Sequence, residues 1–230
     1  MKTIGLLGGM SWESTVDYYR IINQGVKQAL GGLHSAKIVL NSVDFAQIGQ
    51  LQHQGDWEGT AEILCQAAQQ TERAGADFLL ICTNTMHKIA PQVQAAIDIP
   101  LLHIADATAE ALQAAGVQQV GLLGTAFTME QDFYKERLRD TFGLEVLVPD
   151  EAGRKLVHDV IYQELCLGQV QDTSREQYVQ IIDQLAEQGA EAVILGCTEI
   201  GILVKQADTT VRLFDTTMIH AEKAVQLALA

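Results

Sequence analysis

Two matching stretches of this chain end in groups that can do chemistry, and the groups differ. Residues 189–199 read Gly-Ala-Glu-Ala-Val-Ile-Leu-Gly-Cys-Thr-Glu, and residues 75–85 read Gly-Ala-Asp-Phe-Leu-Leu-Ile-Cys-Thr-Asn-Thr. The copies lie 114 positions apart, as Cys197 does from Thr83. An apolar run ends in a small polar cluster both times. Cys197 can serve as a nucleophile or base once it loses its proton, whereas the Thr83 hydroxyl needs an activating partner to do either. A thiol in one half and a hydroxyl in the other suggest a site where each half presents one reactive group to opposite faces of a ligand.

Cys197-Thr198-Glu199 is the sharpest of these signals. A thiol where a strand gives way to a helix start has its thiolate favoured by the helix dipole, which predicts a pKa below the free value of about 8.5. Glu199 opposes that lowering if it lies close. The other cysteines, at 65, 82 and 166, form no Cys-x-x-Cys pair, so zinc and redox roles are weak and each reads as a small buried hydrophobe. Cys82 precedes Thr83, and neighbours on an extended strand point to opposite sides, so Cys82 faces away from the Thr83 direction.

Two further clusters sit at strand ends. Gly8-Gly9-Met10-Ser11 follows the first apolar run, with Ser11 placed to cap a helix and leave an anion-receptive start. It is not Gly-x-Gly-x-x-Gly and no Gly-Lys-Ser/Thr occurs, which disfavours dinucleotides and nucleoside triphosphates. Thr83-Asn84-Thr85-Met86-His87 closes another run. Asn84 or Thr85 can cap the following helix, and the remaining hydroxyl and N–H groups can hold a carboxylate; the role of His87 is open.

The elements that must position these groups alternate in type. Strands are predicted at 3–7, 37–42, 77–81, 101–103, 119–123, 145–147, 192–195 and 211–214, and helices near 12–30, 57–74, 86–96, 106–115, 129–141, 151–167, 174–188 and 217–229. Short Ile-, Leu- and Val-rich strands each followed by a helix predict an α/β fold with parallel sheets flanked by helices. Residues 4–9 also resemble 120–125, so two pseudo-symmetric lobes are expected. Lobe 1 covers 1–102 and is completed by 209–230; lobe 2 covers 103–208.

The 230 residues carry a formal charge of −14, which argues against nucleic acid and anionic membrane as partners. No segment reads as a signal peptide or membrane span, so a soluble cytoplasmic protein is expected.

Gly8-Gly9-Met10-Ser11, Thr83-Asn84-Thr85-Met86-His87, residues 102–108 (Leu-His-Ile-Ala-Asp-Ala-Thr) and Gly196-Cys197-Thr198-Glu199, in that order and across essentially the whole chain, resemble the aspartate/glutamate racemase family. The resemblance implies a cofactor-independent enzyme, usually a homodimer, with its active site in the cleft between two lobes. It implies an amino acid or dicarboxylate substrate and two cysteines facing each other across the α-carbon. The first-half pattern is Cys-Asn-Thr in that family and Thr-Asn-Thr here, so Cys197 carries the second cysteine's role while Thr83 carries only the position of the first. The second-half cysteine takes the α-proton of the L enantiomer, which implies bias from L to D. By the same resemblance the substrate carboxylate falls to Met10, Ser11, Thr83, Asn84, Thr85 and Thr198. Gln52 lies where the family has a loop over the substrate, and Glu164 is a candidate for the ammonium group. Two alternatives stay open: a related one-cysteine decarboxylase or cis–trans isomerase of dicarboxylic acids, and a non-catalytic carboxylate-binding protein.

Overall fold

The computed structural model describes all 230 residues, Met1–Ala230. In chain order they form β1 (Ile4–Gly8), α1 (Trp12–Leu30), β2 (Ile38–Ser42), α2 (Phe45–Gln54), α3 (Trp57–Arg73), β3 (Phe78–Ile81), a 3-10 turn (Thr85–Ile89) and α4 (Ala90–Ala95). Then come α5 (Ile104–Ala114), β4 (Gln119–Gly124), α6 (Ala126–Glu130), α7 (Asp132–Glu136), β5 (Glu145–Leu147), α8 (Glu151–Gln163), α9 (Asp172–Glu187), β6 (Ala192–Gly196), α10 (Ile200–Leu203), β7 (Arg212–Asp215) and α11 (Thr216–Leu229). Backbone contacts divide the chain into two units, one of Met1–Ile104 with His220–Ala230 and one of Ala105–Ile219. No helix is long and apolar enough to cross a membrane.

The first unit holds a three-stranded parallel sheet in the order β2-β1-β3, with Leu101 adding a parallel bridge to Leu79. Its strands alternate between two cores, because successive side chains on a strand point to opposite faces. Leu7, Leu79 and Ile81 pack with α3 residues such as Leu64 and Ala68 on one side. Ile4, Leu6, Phe78, Leu80 and Cys82 pack on the other, with Tyr18 and Ile22 of α1 and Ala221 and Ala224 of α11. Each large aliphatic side chain buried this way contributes about 1.5–3 kcal/mol.

The second unit holds a four-stranded parallel sheet in the order β5-β4-β6-β7. Its register repeats that of the first. Gly5 is paired with Leu79 in one sheet, and Gly121 with Val193 in the other. Both glycines lie under a helix. A Cβ on Gly5 would sit 2.8 Å from Thr71 and 3.0 Å from Leu79; one on Gly121 would sit 3.0 Å from both Leu185 and Val193. Thr71 and Leu185 are themselves 114 positions apart. The duplication therefore reaches beyond the strand ends to the way α3 and α9 seat on their sheets.

The sequence reading needs correction at four points. The segment 209–230 does not join the first lobe as a whole, because β7 pairs with β6 and only residues from His220 onward pack into the first unit. The strand at 101–103 shrinks to one bridge at Leu101. The helix at 129–141 breaks into α6, α7 and a π turn at Arg137–Thr141. Helix α2 escapes sequence reading because its inward face offers only Ile48 and Gln52 as buried residues, a weak apolar period in a Gln-rich stretch.

The β1–α1 turn is tightly held. The Gly9 N–H donates to the Thr15 hydroxyl at 2.9 Å, and that hydroxyl donates to the Ser11 carbonyl at 2.8 Å. Gly9 has φ +92°, and a Cβ there would run into the Val43 carbonyl oxygen. Gly9→Ala is expected to lower the thermal midpoint, through a cost of at least about 1–3 kcal/mol from backbone strain plus the clash. An unchanged midpoint by circular dichroism would contradict this account of the turn.

Candidate active site

Cys197 comes directly after the last residue of β6 and shares its side of the sheet with Val193 and Leu195. By the repeat these correspond to Thr83, Leu79 and Ile81, and Leu79 and Ile81 share one core face. Thr83, not Cys82, is thus the counterpart of Cys197. Cys82 is fully buried on the opposite face, where burial alone pushes its thiol up.

The Cys197 station contains a short acid–thiol array. The Cys197 Sγ donates to Glu199 Oε2 at 2.9 Å, and the Thr198 hydroxyl donates to the same oxygen at 2.8 Å. All three residues are buried. Burial pushes the thiol well above its ordinary range, and the Glu199 carboxylate and then Cys166 push it the same way. The Glu199 backbone N–H pulls only weakly against them. The expected lowering by a helix dipole is overturned. Helix α10 begins only at Ile200 and spans four residues, too little to offset desolvation and an adjacent carboxylate. Cys197 rests as a thiol. Tyr162 and Tyr178 sit in the same surroundings, where burial first and then a charge on Cys197 raise both phenols.

Glu164 lies at the end of α8, where its Oε2 accepts from the Ser174 hydroxyl at 2.7 Å. Its charge, like one on Cys197, is felt at Tyr178, so the second unit brings the two acids and the thiol into one neighbourhood.

In the first unit, Asn84, Thr85 and His87 are buried and Thr83 is half-buried. Asn84 stands at the start of the 3-10 turn without capping it through its side chain, contrary to the capping expectation. His87 Nδ1 lies 2.8 Å from the Thr83 carbonyl, and the Ile104 N–H donates to His87 Nε2 at 3.2 Å. A carbonyl only accepts and an amide N–H only donates, so the ring is neutral with its proton on Nδ1. Both nitrogens serve the backbone, which leaves none for a proton shuttle in this arrangement.

Ser11 caps α1, accepting from the Ser14 N–H at 3.4 Å, and Met10 is buried beside it. Gln52 projects from α2, only 2% exposed, and its amide oxygen has no hydrogen-bond partner within the protein. Such a group calls for an outside donor.

Sequence reasoning missed Lys88. Lys88 stands three positions after Thr85 in the same 3-10 turn, the interval at which side chains of an ideal 3-10 turn eclipse. Its ammonium sits 4.0 Å from the Trp57 ring, and partial desolvation lowers its pKa. The eclipsing interval was present in the sequence, but recognising it required knowing that the turn after Asn84 is 3-10.

Residues 7–224 match the model of the Asp/Glu/hydantoin racemase family. The chain belongs to that family. Relatives named as amino-acid racemases are isomerases, and the same fold extends over the full length of two solved relatives. A Yersinia pestis protein classed with the Asp/Glu racemases is 54% identical, with both chains fully covered and a TM-score of 0.93. An aspartate racemase homologue from Pyrococcus horikoshii OT3 is 36% identical over both full chains, with a TM-score of 0.85. The broad-specificity amino-acid racemase RacX of Bacillus subtilis is 21% identical over 182 residues, covering 76% of this chain and 75% of that one.

Neutralising the acid beside the thiol of this racemase should release its proton more readily. Glu199→Gln removes the carboxylate charge while an amide can still donate to sulfur, so the Cys197 pKa is expected to fall. Alkylation of Cys197, followed by peptide mass spectrometry from pH 6 to the alkaline limit of the fold, should show its half-point move to lower pH. A half-point that stays put or rises would refute the assignment of Glu199 as the charge that holds the proton on sulfur.

Proposed function

We propose that the protein is a cofactor-independent racemase of aspartate- or glutamate-type amino acids, in which Cys197 takes the α-proton of the L enantiomer and Thr83, or a water it holds, serves the opposite face. The observation that carries this reading is the register equivalence of Thr83 and Cys197 together with the Cys197–Glu199 hydrogen bond. A thiol cannot act as a base until it loses its proton, and Glu199 Oε2 is already its acceptor. Transfer along that bond gives a thiolate and a carboxylic acid that can remain bonded to Thr198. An adjacent substrate ammonium favours the thiolate, since opposite charges at close range stabilise each other.

The sulfur then accepts the α-proton. The C–H bond breaks, an S–H bond forms, and the electron pair stays on the α-carbon and its carboxylate. A proton supplied from the Thr83 side completes inversion, that side is refilled from water, and one proton leaves at Glu199, so the cycle is neutral. Backbone N–H groups at the Met10-Ser11 turn and after Thr83 are suited to hold the carboxylate that carries the developing charge. Lys88 and the amide N–H group of Gln52 are the donors we assign to the distal carboxylate, and Glu164 and the unpaired Gln52 oxygen are the acceptors we assign to the ammonium.

The two faces of this site are chemically unequal. Two enantiomers have equal free energy, so kcat/KM for L to D must equal that for D to L. The inequality therefore appears in isotope exchange. Cys197 can remove and return a proton on the L substrate without inversion, whereas Thr83 cannot readily do so on the D substrate. In heavy water, L-aspartate or L-glutamate should lose its α-proton faster than D product forms, and the D enantiomer should exchange no faster than it inverts. Equal exchange without inversion from both enantiomers would defeat the assignment. Cys197→Ser should lower both rates by about 10²- to 10⁴-fold.

Lys88→Met is expected to raise KM for the dicarboxylic substrates by about 10- to 100-fold, the scale of one charge-assisted hydrogen bond, and to leave neutral amino acids unaffected. A uniform change across both substrate classes would remove Lys88 from the specificity pocket. A second reading is favoured by one observation: a thiol that rests protonated is also a competent proton donor, as a one-cysteine decarboxylase needs. Turnover of a substituted malonate with no amino acid exchange would select it.

A further inference from the structure

We infer that His87 is a positioning residue for Thr83, acting through the backbone; the inference rests on the racemase reading above. Thr83 lies beyond the reach of its sheet. The last ladder bond on that strand runs from the Cys82 N–H to the Leu7 carbonyl at 2.9 Å. One residue later the chain turns into the 3-10 segment, and there the Thr83 carbonyl accepts from His87 Nδ1–H.

The ring that makes this bond is itself fixed from several sides. The His87 backbone N–H donates to the Asn84 carbonyl at 3.0 Å, and the ring Nε2 takes the Ile104 N–H. The ring packs edge-on against His103 at 4.4 Å and stands 6.1 Å from His220. His220, on α11, lies 2.8 Å through Nε2 from the Leu102 carbonyl and 2.8 Å through Nδ1 from the Tyr18 hydroxyl of α1. Two buried imidazoles thus fix the Leu102 carbonyl and the Ile104 N–H, and one of them carries that rigidity to the Thr83 carbonyl. All of these groups belong to the first unit. The side chain at 83 must point at one face of the α-carbon, and misplacement of a reacting group by about 1 Å can cost on the order of 10²-fold in rate.

The two nitrogens can be separated by substitution. Asn places an amide nitrogen near the Nδ1 position, so His87→Asn can keep the bond to the Thr83 carbonyl and lose the one to Ile104. Gln reaches the Nε2 position, so His87→Gln can keep the Ile104 bond and lose the one to Thr83. His87→Ala loses both.

The readout is the ratio of α-proton exchange from the L substrate in heavy water to formation of D product. Exchange uses Cys197 alone, whereas inversion needs Thr83. The ratio should rise about tenfold or more in His87→Gln and His87→Ala, with kcat for inversion falling and KM little changed. It should stay near the wild-type value in His87→Asn. Thermal midpoints of all three variants are measured alongside, because general destabilisation lowers exchange and inversion together. A ratio unchanged in His87→Gln and His87→Ala, or raised equally in His87→Asn, overturns the positioning role. Wild-type protein that neither exchanges nor inverts overturns the racemase reading itself, and the inference falls with it.

Discussion

A buried thiol hydrogen-bonded to a buried carboxylate is the constraint on which the proposed chemistry depends. In water the Cys197–Glu199 pair would exchange protons freely with solvent. In the protein, burial raises the thiol, and the neighbouring carboxylate raises it further. The resting site therefore stores its proton on sulfur. In the proposed mechanism the change in local charge that removes that proton comes from a substrate carrying an ammonium group. A permanently ionised thiolate would be open to alkylation and oxidation between turnovers. A thiol that ionises only in the presence of the right cation is protected until it is needed. The influences on the Cys197 proton agree with this logic, since burial, Glu199 and Cys166 all hold it in place and only a backbone N–H opposes them.

The scaffold places this array by repetition. Each sheet runs parallel and puts a polar cluster just past the carboxyl end of the strand beside its first, β3 next to β1 and β6 next to β4, and the carboxyl ends of strands are where ligands bind in open α/β sheets. The register equivalence is close enough that Gly5 and Gly121 meet the same tight packing, from Thr71 in one half and Leu185 in the other. Past the strand ends the two halves diverge. In the second unit Cys197, Thr198 and Glu199 bond to one another. In the first, Thr83 is tied to the ring of His87 and the turn tightens to a 3-10 form. The unit with the reactive sulfur is organised around a proton, and the unit with the hydroxyl is organised around a backbone position.

Much of this was legible in the sequence because it rests on period and repetition. The strands Ile4–Gly8 and Ala192–Gly196 are continuous apolar runs, as fully buried parallel strands must be. The identity of Thr83 as the counterpart of Cys197 follows from alignment of the two halves, and the alternation of Cys82 into the opposite core comes from the pleat. The features that the sequence hid depend on distance. The direction of the Cys197 shift could not be read from a motif, because a helix start and a carboxylate oppose each other and only burial decides between them. The tie of the Glu164 side chain to Ser174 spans ten residues and a change of element, so no local pattern announced it. The commitment of both His87 nitrogens needed Ile104, seventeen positions away, and no local pattern announces such a bond. Helix α2 was missed because its buried face uses Gln52 where a hydrophobe would have revealed the period.

A hydroxyl and a thiol at equivalent stations cannot be equal catalysts, yet thermodynamics requires equal kcat/KM in the two directions between enantiomers. These statements are compatible only if the difference between the stations resides in steps other than the net conversion. In the proposed mechanism, proton removal at sulfur is reversible and can repeat many times before a proton arrives from the other side. On that reading the scarce event is delivery at position 83, where a hydroxyl is a weak acid and geometry must do what acidity does not. That places unusual weight on how rigidly Thr83 is held. A buried ring fastened to two separate stretches of backbone is a low-entropy way to hold it, because an imidazole has only two rotatable bonds and both of its nitrogens are used. In the half with the weaker chemical group, the position of that group is thus tied through one ring to two stretches of backbone.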